Sequence, residues 1–379
     1  MICKTCGKET PEDSKFCVHC GSNDLKEGYS KEEINAVNEV ASHKLLIIVL
    51  IITLIMGIVI VLINVGFLNL TKNESKVTEN ENLIIDEKTS EIDSKSRPYA
   101  IMISNNQDAW PQCGIQDAYL VYEIIVEGGI TRMMALYKDQ ETAKIGVTSS
   151  ARRYFMDYAK ENDAIFIHWG GSPQAYAELE SIDSLDGIQL EGSVFFRDTS
   201  LNRALEHTGF VDLKKAKEYG EQKGYNREVN KRSLLNYSIK EIDMYAISNA
   251  RSANIVTIKY SDNHSTSYEY DSGNKVYKRS MSGEPNIDLN TGKQYTAKNI
   301  IAYKVRNYTS DDKGRQELDN IGTGTGYYIT EGKAIPITWE KNSYSEQTIY
   351  RYENGNELKV NEGNTFIQIY PVEYEISIL

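Results

Sequence analysis

The sequence predicts a multidomain α/β plus β protein: a small four-cysteine zinc ribbon, a single transmembrane helix, an extracytoplasmic α/β domain with a mixed sheet, and a β-rich domain. Three observations predict it. Two C-x-x-C pairs open the chain, an uncharged run fills residues 45–63 (LLIIVLIITLIMGIVIVLI), and after residue 97 the texture becomes short apolar runs broken by turns. Those runs alternate with amphipathic stretches as far as residue 225 and are nearly all strand-like from residue 253 onward.

Residues 1–23 are too few to fold around an apolar core, so four thiolates converging on one ion are the expected source of order. Cys3 and Cys6 form one knuckle (CKTC) and Cys17 and Cys20 the other (CVHC), with Gly7 and Gly21 following each as the tight turn favours. All four positions are cysteine, so the expected zinc is structural and closed to substrate. The segment closely resembles the minimal zinc ribbon attached to many bacterial membrane proteins. A redox pair is the competing reading, but no βαβ pattern accompanies it, and His19 is expected to be a spectator.

Residues 24–44 read as a polar juxtamembrane segment, with a helix capped at Ser30. Residues 45–70 are long enough to cross a hydrocarbon core of about 30 Å at about 1.5 Å per residue, and are expected to do so. More than forty residues precede the run, NVGFLNLTKN offers no small-residue cleavage site, and no cysteine directly follows to take a lipid, so a retained anchor is expected. Charge barely orients it, because His43 and Lys44 on one side face Lys72 on the other. Cysteine chemistry orients it better: reduced thiolates place the ribbon in the cytosol and the rest outside, where Cys113 alone allows no intrachain disulfide. Residues 71–96, charged and without aromatics, form the expected tether.

With 40% hydrophobic residues and seven prolines, the outer region can bury a core. A net charge of −12 argues against nucleic acid as a partner and requires a specific site for any anion.

Residues 97–225 read as the α/β domain. RPYAIMIS, YLVYEIIVEG, TRMMALYK, AKIGVTS and AIFIHWG are its strands, and ARRYFMDYAKEND, SPQAYAELESI and VDLKKAKEYGEQK its helices. Residues 226–252 are a connector. Residues 253–379 read as hairpins, with turn signals such as DSGN and ENGN, and their many tyrosines suit half-buried strands.

Candidate chemistry gathers where strands run into helices, the place where open α/β sheets bind ligands. Ser149 or Ser150 is expected to cap a helix whose first turn carries Arg152 and Arg153, setting free N–H groups and guanidinium toward one volume. His168, Gly170, Gly171 and Ser172 repeat the arrangement, with Pro173 at the first helical position. Arg197, Asp198, Arg203 and His207 lie in a third such loop, and Arg132 follows a glycine pair. Together they suggest a site for an anion. Glu123, Glu127, Asp157, Asp198, His168 and His207 are acid and base candidates, with Glu123 and Glu127 a candidate cation pair and Glu127 and Asp157 equally candidates for holding arginines. There is no G-x-S-x-G elbow, Walker loop or H-E-x-x-H, and Cys113 has no histidine nearby in sequence.

In order, RPYAIMISN, WPQCGIQDAYLVYEIIVEGGITRMMALY, IGVTSSARRYFMDYA, IHWGGSPQA and FFRD resemble the YerB family, and IGTGTGYYITEGKAIPITWEK and TFIQIYP resemble its C-terminal part. The resemblance implies an extracytoplasmic, two-part region and no settled activity. The chain departs from the family pattern in its ribbon and apolar helix, where many members look like lipoproteins, in Cys113, where a small residue such as serine is usual, and in RALEHTGF, with Glu206 before His207. The leading expectation is a single-pass envelope protein that binds an anionic cell-wall or lipid-linked ligand, with the ribbon meeting a cytosolic protein. The alternatives are a hydrolase or phosphoglycosyl transferase acting on such a ligand, the latter by architectural analogy with the LytR-CpsA-Psr transferases, and a scaffold for envelope enzymes.

Overall fold

The computed structural model describes residues 1–26, 94–238 and 240–379. The expected span at 45–70, most of the juxtamembrane segment and nearly all of the tether lie outside the described residues. Among the described residues no helix is long and apolar enough to cross a membrane. The chain divides into two compact units, 1–82 and 83–379.

In the first unit, Ile2–Cys3 pairs antiparallel with Leu25–Lys26 and closes a loop that carries all four N-terminal cysteines. Gly7 and Gly21 adopt φ of 69° and 73°, and their N–H groups donate to the carbonyls of Cys3 and Cys17 at 2.8 Å. This is the knuckle turn for which the C-x-x-C-G spacing was read.

The second unit is built on one eleven-stranded mixed sheet. The first sequence segment supplies β1 (Tyr99–Ser104), β2 (Leu120–Ile125) and β3 (Thr131–Tyr137), while β4 (Ile145–Gly146) belongs to a small side sheet. There follow α1 (Arg153–Glu161), β5 (Ile165–His168), α2 (Pro173–Tyr176), β6 (Ser184–Asp186) and α3 (Gly187–Leu190). The side sheet is completed by β7 (Phe195–Arg197) and β8 (Gly209–Val211), before α4 (Leu213–Gln222). The second segment supplies β9 (Arg251–Ser252), β10 (Ile255–Lys259), β11 (Ser265–Asp271), β12 (Val276–Met281), β13 (Asn299–Val305), β14 (Gly322–Thr330), β15 (Lys333–Lys341), β16 (Ile349–Tyr352), β17 (Thr365–Pro371) and β18 (Ile376–Ile378).

Strand order in the large sheet is β9-β15-β14-β13-β17-β2-β3-β1-β5-β6, with β16 on β15. The join between the two segments is β17 on β2, parallel, with Thr365 opposite Leu120 and Ile369 opposite Ile124. Both strands are buried throughout, which is why each reads as a continuous apolar run rather than an alternating one. The expected boundary near residues 225–253 is therefore a boundary in sequence that the sheet passes across. A second sheet, containing β12-β11-β10-β18, contributes Tyr260, Tyr268 and Tyr277 to the core on one face of the large sheet.

Helix α1 starts two residues later than a Ser150 cap would set it. Arg152 is its N-cap with extended backbone, and no side chain caps it. Ser149 instead donates its N–H to the Met102 carbonyl, and the Ser150 carbonyl accepts from Arg132. Ser172 does cap α2, accepting from the Ala175 N–H at 3.1 Å, with Pro173 in the first turn.

Candidate functional site

A cleft of about 240 Å³ opens at the carboxyl ends of β1 and β5. Ser104 ends β1, Trp169 follows β5, and Arg132 lies opposite Ser104 in the ladder between β1 and β3. The stretch after β4 brings Thr148, Ser149 and Ser150 into the wall, and the loop before β8 brings Glu206 and His207. That loop is held in place because β8 pairs with β7, so Arg197 at the end of β7 also reaches the cleft.

Five of the sequence-derived candidates thus share one cavity: Arg132, Ser149, Ser150, Arg197 and His207. The guanidinium of Arg132 donates to the Ser150 carbonyl at 2.6 Å and lies 3.3 Å from Glu127. Burial, with Arg152 adding repulsion, pulls its pKa down to about 10, so it stays charged at neutral pH. Arg197 places its Cζ over the Trp169 indole, 4.3 Å from the ring centroid, and donates to Glu191 at 2.9 Å and to the Leu205 carbonyl at 2.5 Å. The Trp169 ring is itself fixed between glycines: a Cβ added at Gly187 or Gly209 would sit 2.5 or 2.8 Å from it. A buried ring nitrogen of His207, Nδ1, has no protein partner.

The other candidates stand outside these walls. Arg152 is buried against Glu127, donating through Nε at 2.9 Å and again through Nη2, while Nη1 bonds the Ala151 carbonyl. Arg153 donates to Glu317 at 2.7 Å and lies 3.4 Å from Asp157. His168 is fully buried, its Nδ1 2.8 Å from the Gly170 carbonyl, and burial lowers its pKa. Gly170 and Gly171 run beside Ala151, forming the cleft's backing rather than its lining. Asp198 accepts from Lys144 at 2.6 Å, which with Ser200 holds its carboxyl down to about 2. Arg203 donates to the carbonyls of Ala109 and Pro111. Cys113 is buried with Val147 and Phe210, and burial pushes its thiol up to about 12, so it is a packed side chain.

The acidic candidates likewise have structural partners. Glu127 clamps two arginines and Glu123 lies in a buried network of its own, so the two do not form a shared cation site. Sequence reasoning missed Ser104, Asn106, Thr131 and Thr148 as lining residues. The signal for the first two was present, since YAIMISNN changes from apolar to polar where a buried strand ends.

A larger hollow, about 420 Å³, runs along Lys95, Arg97, Lys138 and Arg227. Its arginines are saturated, Arg97 by Asp183 and Arg227 by both oxygens of Asp163, and it receives the polypeptide arriving from residue 94. The smaller cleft is the better candidate site, because it lies where strand ends and loop residues converge.

In the N-terminal unit the ligand atoms of Cys3, Cys6, Cys17 and Cys20 all lie within 4.8 Å of one another, an arrangement able to hold a metal ion. The Thr10 hydroxyl, 3.5 Å away, helps hold the Cys17 thiol down to about 5. Despite the Ser22 N–H, the neighbouring thiols of Cys6 and Cys3 hold Cys20 up to about 12. Four thiols this close cannot all ionise without a cation among them.

Residues 86–226 match the N-terminal domain, and residues 256–367 the C-terminal domain, of a protein family of unknown function (DUF3048). The chain belongs to this family. The chain is similar to "Putative lipoprotein YerB" of Bacillus subtilis (strain 168), 32% identical over 293 residues, 75% of this chain and 84% of the relative. The crystal structure of YerB protein from Bacillus subtilis matches with a TM-score of 0.65 at 30% identity, over 75% of this chain and 93% of that one. The YerB-family match spans both sequence segments, in keeping with the single sheet that joins them.

Proposed function

We propose that this YerB-family chain is a membrane-anchored envelope protein whose outer region binds an anionic ligand, with a zinc ribbon on the cytosolic side. The Bacillus subtilis relative is named a putative lipoprotein, which supports attachment to a membrane; here residues 45–70 take that role in place of a lipid. The four-thiol cluster supports zinc, because tetrahedral all-sulfur sites suit it. The ribbon is proposed to meet a cytosolic protein.

The observation that carries the binding proposal is the cleft, in which the Arg132 and Arg197 guanidiniums, the His207 ring and the Ser149 and Ser150 residues share one volume. Each arginine has a nearby acid, and Glu206 lines the same cavity, so the site is built for one compact anionic group flanked by hydroxyls rather than for a polyanion. The ligand class is a phosphorylated glycan, a lipid pyrophosphate or a peptidoglycan fragment. Calorimetric titration of the full chain in phosphatidylcholine nanodiscs with each class tests it, with binding weakened by Arg132→Ala and Arg197→Ala expected. Absence of heat with all three would overturn the proposal. A turnover reading rests on His207 and Glu206 lining the same cavity, and release of phosphate or sugar from a bound ligand would select it.

A further inference from the structure

The cleft is too small for a whole envelope ligand. At about 240 Å³ it falls below the roughly 300–1,000 Å³ of sites that enclose a drug-sized molecule, so most of any such ligand lies outside it. What that remainder touches is set by the residues around the mouth.

Beside the polar lining stand apolar side chains. Trp169 lines the cleft, and its ring packs against Gly187, whose neighbour Ile188 is 65% exposed. A Cβ added at Gly170 would lie 3.5 Å from Ile188 Cδ1 and 3.9 Å from Ser150 Oγ, so Ile188 approaches a cleft-lining serine across bare backbone. Leu205, 61% exposed, immediately precedes Glu206 and His207, and its carbonyl takes the Arg197 guanidinium. Singly exposed aliphatics are ordinary, but Ile188 and Leu205 both adjoin residues that line the cleft, beside Trp169.

We propose that the ligand is amphiphilic: a lipid pyrophosphate whose headgroup enters the cleft and whose hydrocarbon chain crosses the collar of Trp169, Ile188 and Leu205. This rests on the anion-binding reading above and narrows it. Trp169 would serve a sugar ring as well as a hydrocarbon, but Ile188 and Leu205 offer a glycan no hydrogen bond. The charged headgroup is matched by Arg132 and Arg197, and the apolar collar begins directly at Trp169, beneath the second of these.

The test is titration of the full chain in phosphatidylcholine nanodiscs with inorganic pyrophosphate, geranyl pyrophosphate and glucose 1-phosphate. Geranyl pyrophosphate is expected to bind at least about tenfold more tightly than pyrophosphate. Ile188→Asp and Leu205→Asp, at exposed positions that tolerate change, are expected to remove most of that advantage and leave pyrophosphate affinity as it was. Equal affinity for the two pyrophosphates, or tighter binding of glucose 1-phosphate, overturns this inference and leaves the anion-binding reading standing. No binding of any of the three overturns this inference, and no binding of a peptidoglycan fragment besides overturns the anion-binding reading as well.

Discussion

Glu123 and Arg279, far apart in sequence, meet with Oε2 and Nη2 2.7 Å apart, and neither side chain is exposed at all. The other carboxylate oxygen accepts from Asn105, Thr131 and Thr266, and His264 bonds the Thr131 hydroxyl at 2.9 Å. Burial alone would raise the carboxyl's pKa; Arg279 and His264 outweigh it and hold Glu123 well below the usual carboxylate range. The pair ties the first sequence segment to the second inside the core.

Removing one member strands the other without water. Arg279→Met is expected to cost about 3–5 kcal/mol in denaturant unfolding, and adding Glu123→Gln to recover part of that loss. Because the native carboxyl is depressed, its contribution is present at neutral pH and is lost as pH falls below about 4.

The shared sheet makes the two segments one folding unit. A chain ending at residue 252 loses β17 and leaves the fully buried strand β2 as an open apolar edge. It is expected to aggregate, whereas residues 94–379 should unfold in a single transition followed by both fluorescence and circular dichroism. Two separated transitions would count against this.

Asp157 carries a pH dependence of opposite sign. It is fully buried, and burial raises its carboxyl to about 6 even though Asn320 donates to it and Arg153 lies nearby. The folded state therefore binds the proton more tightly, so stability falls as pH rises from about 4 to about 6. Asp157→Asn should flatten that decline and raise stability at pH 7 by about 1–3 kcal/mol, read from urea midpoints at several pH values.

Metal content gives a direct check on the cysteine cluster. The purified chain is expected to carry one zinc ion, lost on Cys17→Ser or Cys3→Ser, while Cys113→Ser leaves the content unchanged. Binding should release protons, most of all near the cluster's raised Cys20 thiol. Elemental analysis and a pH-indicator titration measure the two.

At the cleft, Gly187→Ala drives a methyl into the Trp169 ring and is expected to cost about 1–3 kcal/mol and to weaken ligand binding through the displaced indole. Arg153→Ala, outside the walls, should leave binding intact although it removes the contact with Glu317. Tryptophan fluorescence with ligand titration separates the two variants.

Much of the architecture was legible in local pattern. The five strand segments and the two longer helices read from residues 97–225 are present, with the helix at 151–163 shortened to Arg153–Glu161. TFIQIYP was legible as a strand, but nothing in it says that its neighbour is LVYEII. At the site, Arg132 and Arg152 look alike in sequence; Glu127 engages both, yet only Arg132 reaches the cavity.

By itself the sequence determined the four-thiol knuckles, the uncharged run at 45–70, the succession of strands and helices, and the family, because spacing and periodicity act over a few residues. The tertiary structure alone decided that one sheet passes through both segments, that Glu123 is a buried partner of Arg279, and that Trp169, Arg197 and His207 face one cavity. The physical reason is that pairing of buried strands and sharing of carboxylates are settled by packing between residues far apart in the chain, and local propensity carries no record of the partner chosen.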